Sequence, residues 1–242
     1  MNSTVQVITW QGLALAFVPT LIVLAIMWRW TAGVGTGIYA TFRMLAQLLL
    51  IGYVLVYIFE TGRPSVVLAV LGFMLVVSSW ISIRPLQGKS RRLYRNAFLS
   101  ISLSGVLTLA LVSQSVIGIE PWFNPRYLIP LAGMIFAGAM TTVSLAGERA
   151  YAEASRGVSY TEARRIAMQA ALIPMVNSLL AVGLVSLPGM MTGQILSGVS
   201  PVVAAKYQIV VMSMLFGVTG MSAAMFLYLE KTELRKKAKS PQ

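Results

Sequence analysis

ERAYAEASRGVSYTEARR, residues 148–165, is a charged segment that separates two apolar stretches. PLAGMIFAGAMTTVSLAG (130–147) precedes it and ALIPMVNSLLAVGLVSLPGMM (171–191) follows it. A helix of roughly 20 mostly apolar residues crosses the hydrocarbon core of a bilayer. The charged segment is therefore predicted to be a polar hairpin between two membrane spans.

The composition predicts an all-α integral membrane protein. Of the 242 residues, 57% are hydrophobic and 11% are charged, and the mean hydropathy is +0.77. Such a chain has too little polar surface for a water-soluble protein. Seven apolar runs predict seven transmembrane helices, at about 9–28, 44–61, 64–83, 97–119, 127–146, 170–189 and 207–229. The first run has no basic leader and is too long for a signal-peptide core, so we interpret it as a retained span.

Lysine and arginine predict the orientation of these spans. With the N-terminus outside and the C-terminus inside, the inner segments contain 16 of the 19 basic residues. Only Arg63, Arg126 and Lys206 remain outside, as the positive-inside rule requires. The net charge of +12, including the basic tail 230–242, then reflects orientation and attraction to anionic inner-leaflet lipids. Nucleic-acid binding is not predicted.

Missing residue types exclude several kinds of chemistry. The sequence contains no cysteine, histidine or aspartate, so thiolate and imidazole metal sites and Ser-His-Asp catalysis are excluded. No glutamate lies within the interior of a predicted span: Glu60 stands at the outer end of the second span, and the other six lie in loops, the hairpin or the tail. This placement argues against an ion-driven carrier with a carboxylate in the membrane. GKS at 88–90 lacks the upstream glycine of a phosphate loop, because Ile83 occupies that position. The chain is therefore predicted to be one permease domain, 1–242, without an enzyme activity or cofactor of its own.

The hairpin 147–165 has the composition of a docking segment. Small and charged residues alternate, and Gly157 offers a break, which predicts two short helices at an angle. This pattern resembles the loop through which ABC-transporter permeases bind their ATPase. The resemblance implies a separate subunit that binds ATP and Mg²⁺. It assigns docking to Glu148, Arg149, Glu153, Ala154, Arg156 and Gly157.

Longer strings carry a closer resemblance. They are RMLAQLLLIGYVLVYIF (43–59), IPLAGMIFAGAM (129–140), AALIPMVNS (170–178), GLVSLPGMMTGQILSG (183–198) and PVVAAKYQIVVM (201–212). They resemble the FetB family of permeases, which comprises bacterial iron exporters and plant aluminium-tolerance permeases. The resemblance implies export of iron or a related metal or small substrate across a bacterial inner (plasma) membrane. Two positions depart from the family pattern, since Gly138 stands where asparagine is usual and Asn177 where aspartate is usual, and the hairpin is shorter.

The breaker-rich segment 183–201 is the best candidate for the substrate path. Irregular backbone at membrane depth survives where protein or a water-filled cavity satisfies it, and its carbonyls can contact substrate. The alternatives are that these glycines permit close helix packing or form an outer turn. Methionines nearby either fill the core or ligate a soft ion. The predicted path comprises Met134, Met140, Asn177, Gly183, Pro188, Gly189, Met190, Met191 and Gln194. Because the membrane-embedded donors are amides, hydroxyls, carbonyls and methionine sulfur, no tight iron site is predicted and no metal ligand is assigned.

Two further predictions concern gating and assembly. Arg43 and Gln47 lie one helical turn apart, so both can face the same neighbour and act together as a gate. The alternative is that Arg43 extends to the lipid headgroups. The preceding residues 28–42, with two tryptophans and three glycines, predict an interfacial connector. The absence of an internal repeat predicts a homodimer around a shared path. The alternative functions are a partner-free channel or facilitator and, less favoured, a structural assembly subunit.

Overall fold

The computed structural model describes residues 8–86 and 90–239 of this chain. In these residues all regular structure is helical, apart from one bridge between Val182 and Ser186, so the all-α prediction is confirmed. They form two compact units, 8–61 and 62–239. Residues 87–89, which include Gly88 and Lys89 of the GKS segment, lie outside the described residues. The last tail residues, 240–242, lie outside them as well.

The helix boundaries follow local capping signals. The first unit contains α1 (Trp10–Leu15), α2 (Val18–Arg29) and α3 (Val34–Thr61). The second unit contains α4 (Pro64–Ser82), α5 (Arg91–Ala110) with a π-helical extension (Leu111–Ile117), α6 (Pro125–Ser155), α7 (Tyr160–Ala181), α8 (Gly189–Leu196), α9 (Pro201–Leu229) and α10 (Lys231–Lys239). Ser90, Ser159 and Ser200 cap α5, α7 and α9 by accepting a backbone N–H from the first turn. Proline stands in the first turn of α2, α4, α6 and α9.

Six helical segments in the described part of the chain are long and apolar enough to cross a membrane. They are Trp10–Arg29, Val34–Glu60, Pro64–Ser82, Arg91–Ile117, Pro125–Ser155 and Pro201–Leu229. The predicted span 170–189 is not a continuous helix, because α7 ends at Ala181 and residues 182–188 form a loop before α8. Val182 is extended and Gly183 has a left-handed φ of +82°. The breakers recognised in this segment therefore interrupt the helix, as predicted.

The first unit contains a helical hairpin whose turn is shorter than predicted. The connector expected over 28–42 is wrong for most of its length, since α3 already begins at Val34. Gly37 lies at the crossing of α2 and α3, where a Cβ atom would stand 2.9 Å from Leu24 Cδ2 and 3.3 Å from Met27 Sδ. Glycine in this stretch thus serves helix packing and not only an irregular connection.

In the second unit α6 is the central helix and contacts α4, α5, α7, α9 and α10. It runs parallel to α9, because Tyr151 at its end hydrogen-bonds Glu230 just beyond α9, while Tyr127 at its start lines one cavity with Tyr207 of α9. The chain between these parallel helices must return along the bundle, and α7 provides most of that return. We call the end at residues 148–165 the hairpin end and the opposite one the α8 end.

Small residues allow the helices of the second unit to approach closely. A Cβ atom on Gly105 of α5 would stand 2.8 Å from Phe136 Cε1 of α6. A Cβ atom on Gly147 of α6 would stand 2.9 Å from Leu86 and 3.0 Å from Phe226. Such contacts supply van der Waals packing where lipid removes the usual hydrophobic driving force.

We predict that Gly105→Ala lowers the thermal stability of the purified protein in detergent. Phe136 and Ile135, which would meet the added methyl group, are both buried, so the crossing of α5 and α6 must open, at a cost of about 1–3 kcal/mol. Gly72→Ala in α4 is the matched control, because its methyl group would meet nothing within 4 Å. Equal melting temperatures for the two variants would contradict the proposed close contact.

Candidate functional site

The predicted docking hairpin is built from the ends of two long helices. α6 continues to Ser155 and α7 starts at Tyr160, so the two separate short helices expected from the sequence are not present. Gly157, with φ +81°, makes the turn, which confirms the predicted break. Alanines let α6 and α7 pack closely at this end, in a cluster formed by Ala146, Ala150, Ala154, Tyr160, Ala167, Ala171, Ala223, Leu227 and Leu234.

Only part of the predicted docking set faces outward. Glu153 is 5% exposed and pairs with Arg149 at 2.8 Å and with Arg156 at 3.3 Å, while Ala154 is fully buried. Glu148, Arg156 and Gly157 are exposed, and Arg149 is half-buried. Of the predicted docking residues, Glu148, Arg156 and Gly157 therefore face outward, and Glu153 holds the two arginines in place.

The first turn of α7 carries an exposed ion pair. Arg165 donates hydrogen bonds to Glu162 at 2.5 and 3.0 Å, and this contact lowers the pKa of the Glu162 carboxyl. Arg165 also reaches Gln169 at 3.3 Å. Because the pair is exposed to solvent, it contributes little to stability and chiefly orders this face of the hairpin.

A buried carboxylate at the hairpin end was missed by the sequence analysis, which placed Glu230 at the start of the basic tail 230–242. Its side chain accepts hydrogen bonds from Asn96 Nδ2 and from the Tyr151 hydroxyl, both at 2.6 Å, and from Arg92 at 3.4 Å. Glu230 is 1% exposed. These contacts join α5, α6 and the end of α9. The signal in the sequence is a glutamate directly after a long apolar helix in a chain with few acids.

Three residues of the predicted path meet in a cavity of about 340 Å³ at the α8 end. Met134 of α6 and Met190 and Gln194 of α8 line it. Arg126 and Tyr207 line the same space, so a cationic and a phenolic group accompany the methionines. The Gln194 side-chain oxygen is buried and has no hydrogen-bond partner among the described residues.

Two more predicted residues, Gly183 and Met191, line a separate cavity of about 360 Å³ between α7, α8 and α9. Gln208 and Met212 of α9 share this cavity. Gln208 is 6% exposed, and its amide oxygen also lacks a partner among the described residues. A buried acceptor of this kind favours a donor supplied by water, by a bound molecule or by another chain. Gln208 is a candidate path residue that the sequence analysis did not identify.

A third cavity, of about 370 Å³, lies nearer the hairpin between α6, α7 and α9. Met134 lines it as well, so this side chain lies between two cavities. Gly138, one of the departures from the family pattern, also lines it, and a Cβ atom there would stand 3.3 Å from Thr219 Cγ2. Pro130 and Pro174, each inside a helix, line the cavities and interrupt the backbone hydrogen bonding of α6 and α7 beside them.

The remaining predicted residues are not brought into these three cavities. Met140 is half-buried on α6, and Asn177 is exposed on α7. Pro188 and Gly189 form the start of α8. Arg43 and Gln47 both lie on α3 in the first unit, where Arg43 is half-buried and Gln47 is exposed.

The donors around the cavities suit weak contact with a substrate. Among the described residues, no group of three or more His, Cys, Asp or Glu side chains is placed to hold a metal ion. The lining instead offers methionine sulfur, amide oxygen and hydroxyl groups as ligands, together with the guanidinium of Arg126, which cannot ligate a metal. Sulfur and neutral oxygen ligands without carboxylate or imidazole favour soft or weakly held ions and neutral molecules.

Comparisons with known proteins assign the chain to one protein family. The family described as "Uncharacterised protein family (UPF0014)" matches residues 10–234. The chain is 34% identical over 227 residues to "UPF0014 membrane protein slr1647" of Synechocystis, covering 88% of this chain and 81% of that protein. It is 35% identical over 241 residues to "Probable iron export permease protein FetB" of Escherichia coli, covering 92% and 90%. It is 32% identical over 211 residues to "Protein ALUMINUM SENSITIVE 3" of Arabidopsis thaliana, covering 81% and 76%. No solved structure matches this chain.

We predict that Tyr151→Phe and Glu230→Ala both lower the melting temperature, the second by more. Tyr151→Phe removes one hydrogen bond to a buried charge, worth roughly 1.5–3 kcal/mol. Glu230→Ala takes the acceptor from the buried Asn96 amide as well as from the Tyr151 hydroxyl, and each buried donor left unsatisfied costs roughly 1–3 kcal/mol. Glu148→Ala, which removes an exposed carboxylate, is the control and should change stability little. Indistinguishable melting curves for all three variants would show that the network does not hold α5, α6 and α9 together.

Proposed function

Because the chain belongs to the UPF0014 family, we propose that it is the membrane-spanning subunit of an ABC transporter. It exports iron, a related metal or another small substrate, using ATP and Mg²⁺ bound by a separate subunit. The observation that carries this proposal is the hairpin 148–165, whose exposed tip ends the central helix α6 of a chain similar to a probable iron export permease. The protein itself is a transport subunit and not an enzyme.

The proposed topology has seven crossings of a bacterial inner membrane, with the N-terminus outside and the C-terminus inside. Because α6 and α9 are parallel, the chain between them must cross the membrane once more. We assign this crossing, in addition to the six long apolar helices, to α7 together with residues 182–200. The charge distribution supports the orientation. In the unit 62–239, 13 described lysines and arginines lie at the hairpin end, against Arg63, Arg126 and Lys206 at the α8 end.

The coupling step rests on the length and stiffness of α6. Its 31 residues span roughly 46 Å at 1.5 Å per residue, and the stretch from Met134 to the end of α6 at the hairpin accounts for roughly 32 Å of this length. Closure of the docked ATPase moves the hairpin, and α6 and α7 carry this movement toward the cavities. Pro130 and Pro174 lie where bending costs the fewest backbone hydrogen bonds.

The transport path is shared between two copies of the chain. A chain without an internal repeat supplies half of a pathway, and a homodimer with its two-fold axis along the path would bring two copies of the cavity that Met134 and Gln194 line to one route. Neutral sulfur and oxygen ligands that bind weakly suit an exporter, because a substrate that binds tightly is released slowly. The metal, as substrate, therefore passes in weak contact or as a complex that brings its own ligands.

We predict that Glu148→Lys combined with Arg156→Glu weakens binding of the ATPase subunit. Both side chains are exposed on the hairpin, so reversing their charges changes the docking surface. Because Arg156 also pairs with the buried Glu153 at 3.3 Å, Glu148→Lys alone, which leaves that ion pair intact, is the comparison that checks folding. Glu153→Lys is a less specific change, because Glu153 is buried between Arg149 and Arg156. The measurement is co-purification of the tagged permease with its ATPase from native membranes in mild detergent, together with stimulated ATP hydrolysis.

Lys206→Glu, an exposed charge reversal at the α8 end, is the control for this experiment and should leave the complex intact. Full partner binding and transport by the hairpin variant would remove the hairpin from the mechanism. If no ATPase co-purifies, and the protein alone in liposomes conducts substrate without nucleotide, the partner-free facilitator replaces the pump.

We further predict that Met134→Phe reduces ATP-driven substrate efflux by about tenfold, equivalent to ~1.4 kcal/mol in the transport barrier. The larger, rigid ring would obstruct the two cavities that Met134 separates. Met140→Phe on the same helix is the matched control, because Met140 lines neither cavity. Efflux from vesicles that contain the complex measures the effect, with ATPase binding as the check on folding. Equal efflux by the two variants would place the path elsewhere.

A further inference from the structure

Three cations surround one aromatic ring at the hairpin end. Arg164 and Arg235 each have their guanidinium carbon 5.6 Å from the centroid of the Tyr160 ring, and Lys231 Nζ lies 6.0 Å from it. We call Arg164, Lys231 and Arg235 the Tyr160 triad. Attraction between a cation and an aromatic face contributes roughly 0.5–1 kcal/mol at exposed sites, which is enough to organise the side chains.

The triad has no carboxylate partner among the described residues. The carboxylates at this end are engaged elsewhere: Glu153 with Arg149 and Arg156, Glu162 with Arg165, Glu230 with Arg92, and Glu233 with Arg92 and Lys236. The remaining one, Glu148, is exposed on α6 and forms no ion pair in this part of the chain. The three positive charges are therefore uncompensated by the described residues.

Such an arrangement is unfavourable without an anion. A ring has only two faces, so at least two of the three cations share one side of Tyr160. At separations near 10 Å, two like charges repel by about 1–2 kcal/mol at an effective dielectric constant of 20. An anion between them reverses the sign of this interaction. Arg164 and Arg235 are exposed and Lys231 is half-buried, so the triad is open to a ligand.

The height of the triad along the bundle identifies the kind of anion. The Tyr160 hydroxyl donates a 3.2 Å hydrogen bond to the Leu227 carbonyl oxygen, in the last turn of α9. α9 is one of the helices able to cross a membrane, and Lys231 follows its last residue, Leu229, by two positions. The triad thus lies where an apolar helix ends, which is the level of phospholipid headgroups.

We propose that the Tyr160 triad binds the phosphate of one anionic phospholipid headgroup. Arginine presents paired donors that match phosphate oxygens, and lysine adds a compact charge. Arg164 belongs to α7, whereas Lys231 and Arg235 belong to α10. A phosphate held between them joins the hairpin to the helix that follows α9. This site requires a membrane but no ATPase, so the lipid-binding proposal can be tested independently of the proposed transporter assembly.

The test is lipid retention by the full chain, purified without a partner subunit. Native mass spectrometry from micelles that contain phosphatidylglycerol or phosphatidylcholine counts the lipids bound per chain. The wild type should retain one phosphatidylglycerol. Arg164→Gln/Lys231→Gln/Arg235→Gln should retain it at least about tenfold more weakly, equivalent to ~1.4 kcal/mol. The control, Arg165→Gln/Lys236→Gln/Lys237→Gln, removes the same charge from the same helices but spares the triad.

Tyr160→Leu is a second test, because it removes the organising ring and keeps all three charges. It should also weaken retention, and its melting temperature checks folding. If the triple variant does not fold, the exposed single variants Arg164→Gln and Arg235→Gln provide the comparison.

Four results would overturn the proposal. Unchanged retention by the triad variant would mean that the lipid binds elsewhere, and equal loss in the control would mean diffuse charge attraction. Displacement of lipid by low concentrations of inorganic phosphate would indicate a site for free phosphate. If the triad variant retains lipid but no longer binds the ATPase, the anion is an acidic protein surface.

Discussion

The buried carboxylate of Glu230 is the interaction on which the second unit depends. A charge removed from water must be compensated by partners, and here Asn96 and Arg92 of α5 and Tyr151 of α6 provide them. These contacts are possible only when α6 and α9 end at the same level. The parallel course of the two helices, the return of the chain through α7 and the position of the hairpin all follow from that alignment.

Small side chains complement this polar anchor along the rest of the bundle. Alanines at the hairpin end and glycines such as Gly105 and Gly147 bring helix surfaces close together. Toward the α8 end the packing loosens into cavities beside Met134, near prolines in α6 and α7. The second unit thus combines a charge-linked hairpin end with cavities along α6, α7 and α9, an arrangement suited to movement transmitted along helices.

The same contrast separates the roles of the charged residues at the hairpin end. Glu153 and Glu230 are buried and order their neighbours. Glu148 and Arg156 face outward and define the surface available to a partner. The cations around Tyr160 form a third group, because aromatic contact and not a carboxylate holds them together.

The sequence by itself determined the helical membrane class, the family, six of the apolar helices, the break at Gly157 and the interruption after Ala181. These features depend on composition, on runs of about 20 apolar residues and on backbone preferences, which are all local. Only the tertiary structure decided that Glu153 and Glu230 are buried, that Met134 meets Gln194 while Asn177 stays outside, and that Gly37 packs helices. Burial and convergence depend on which helix faces meet, and residues far apart in the chain supply those faces.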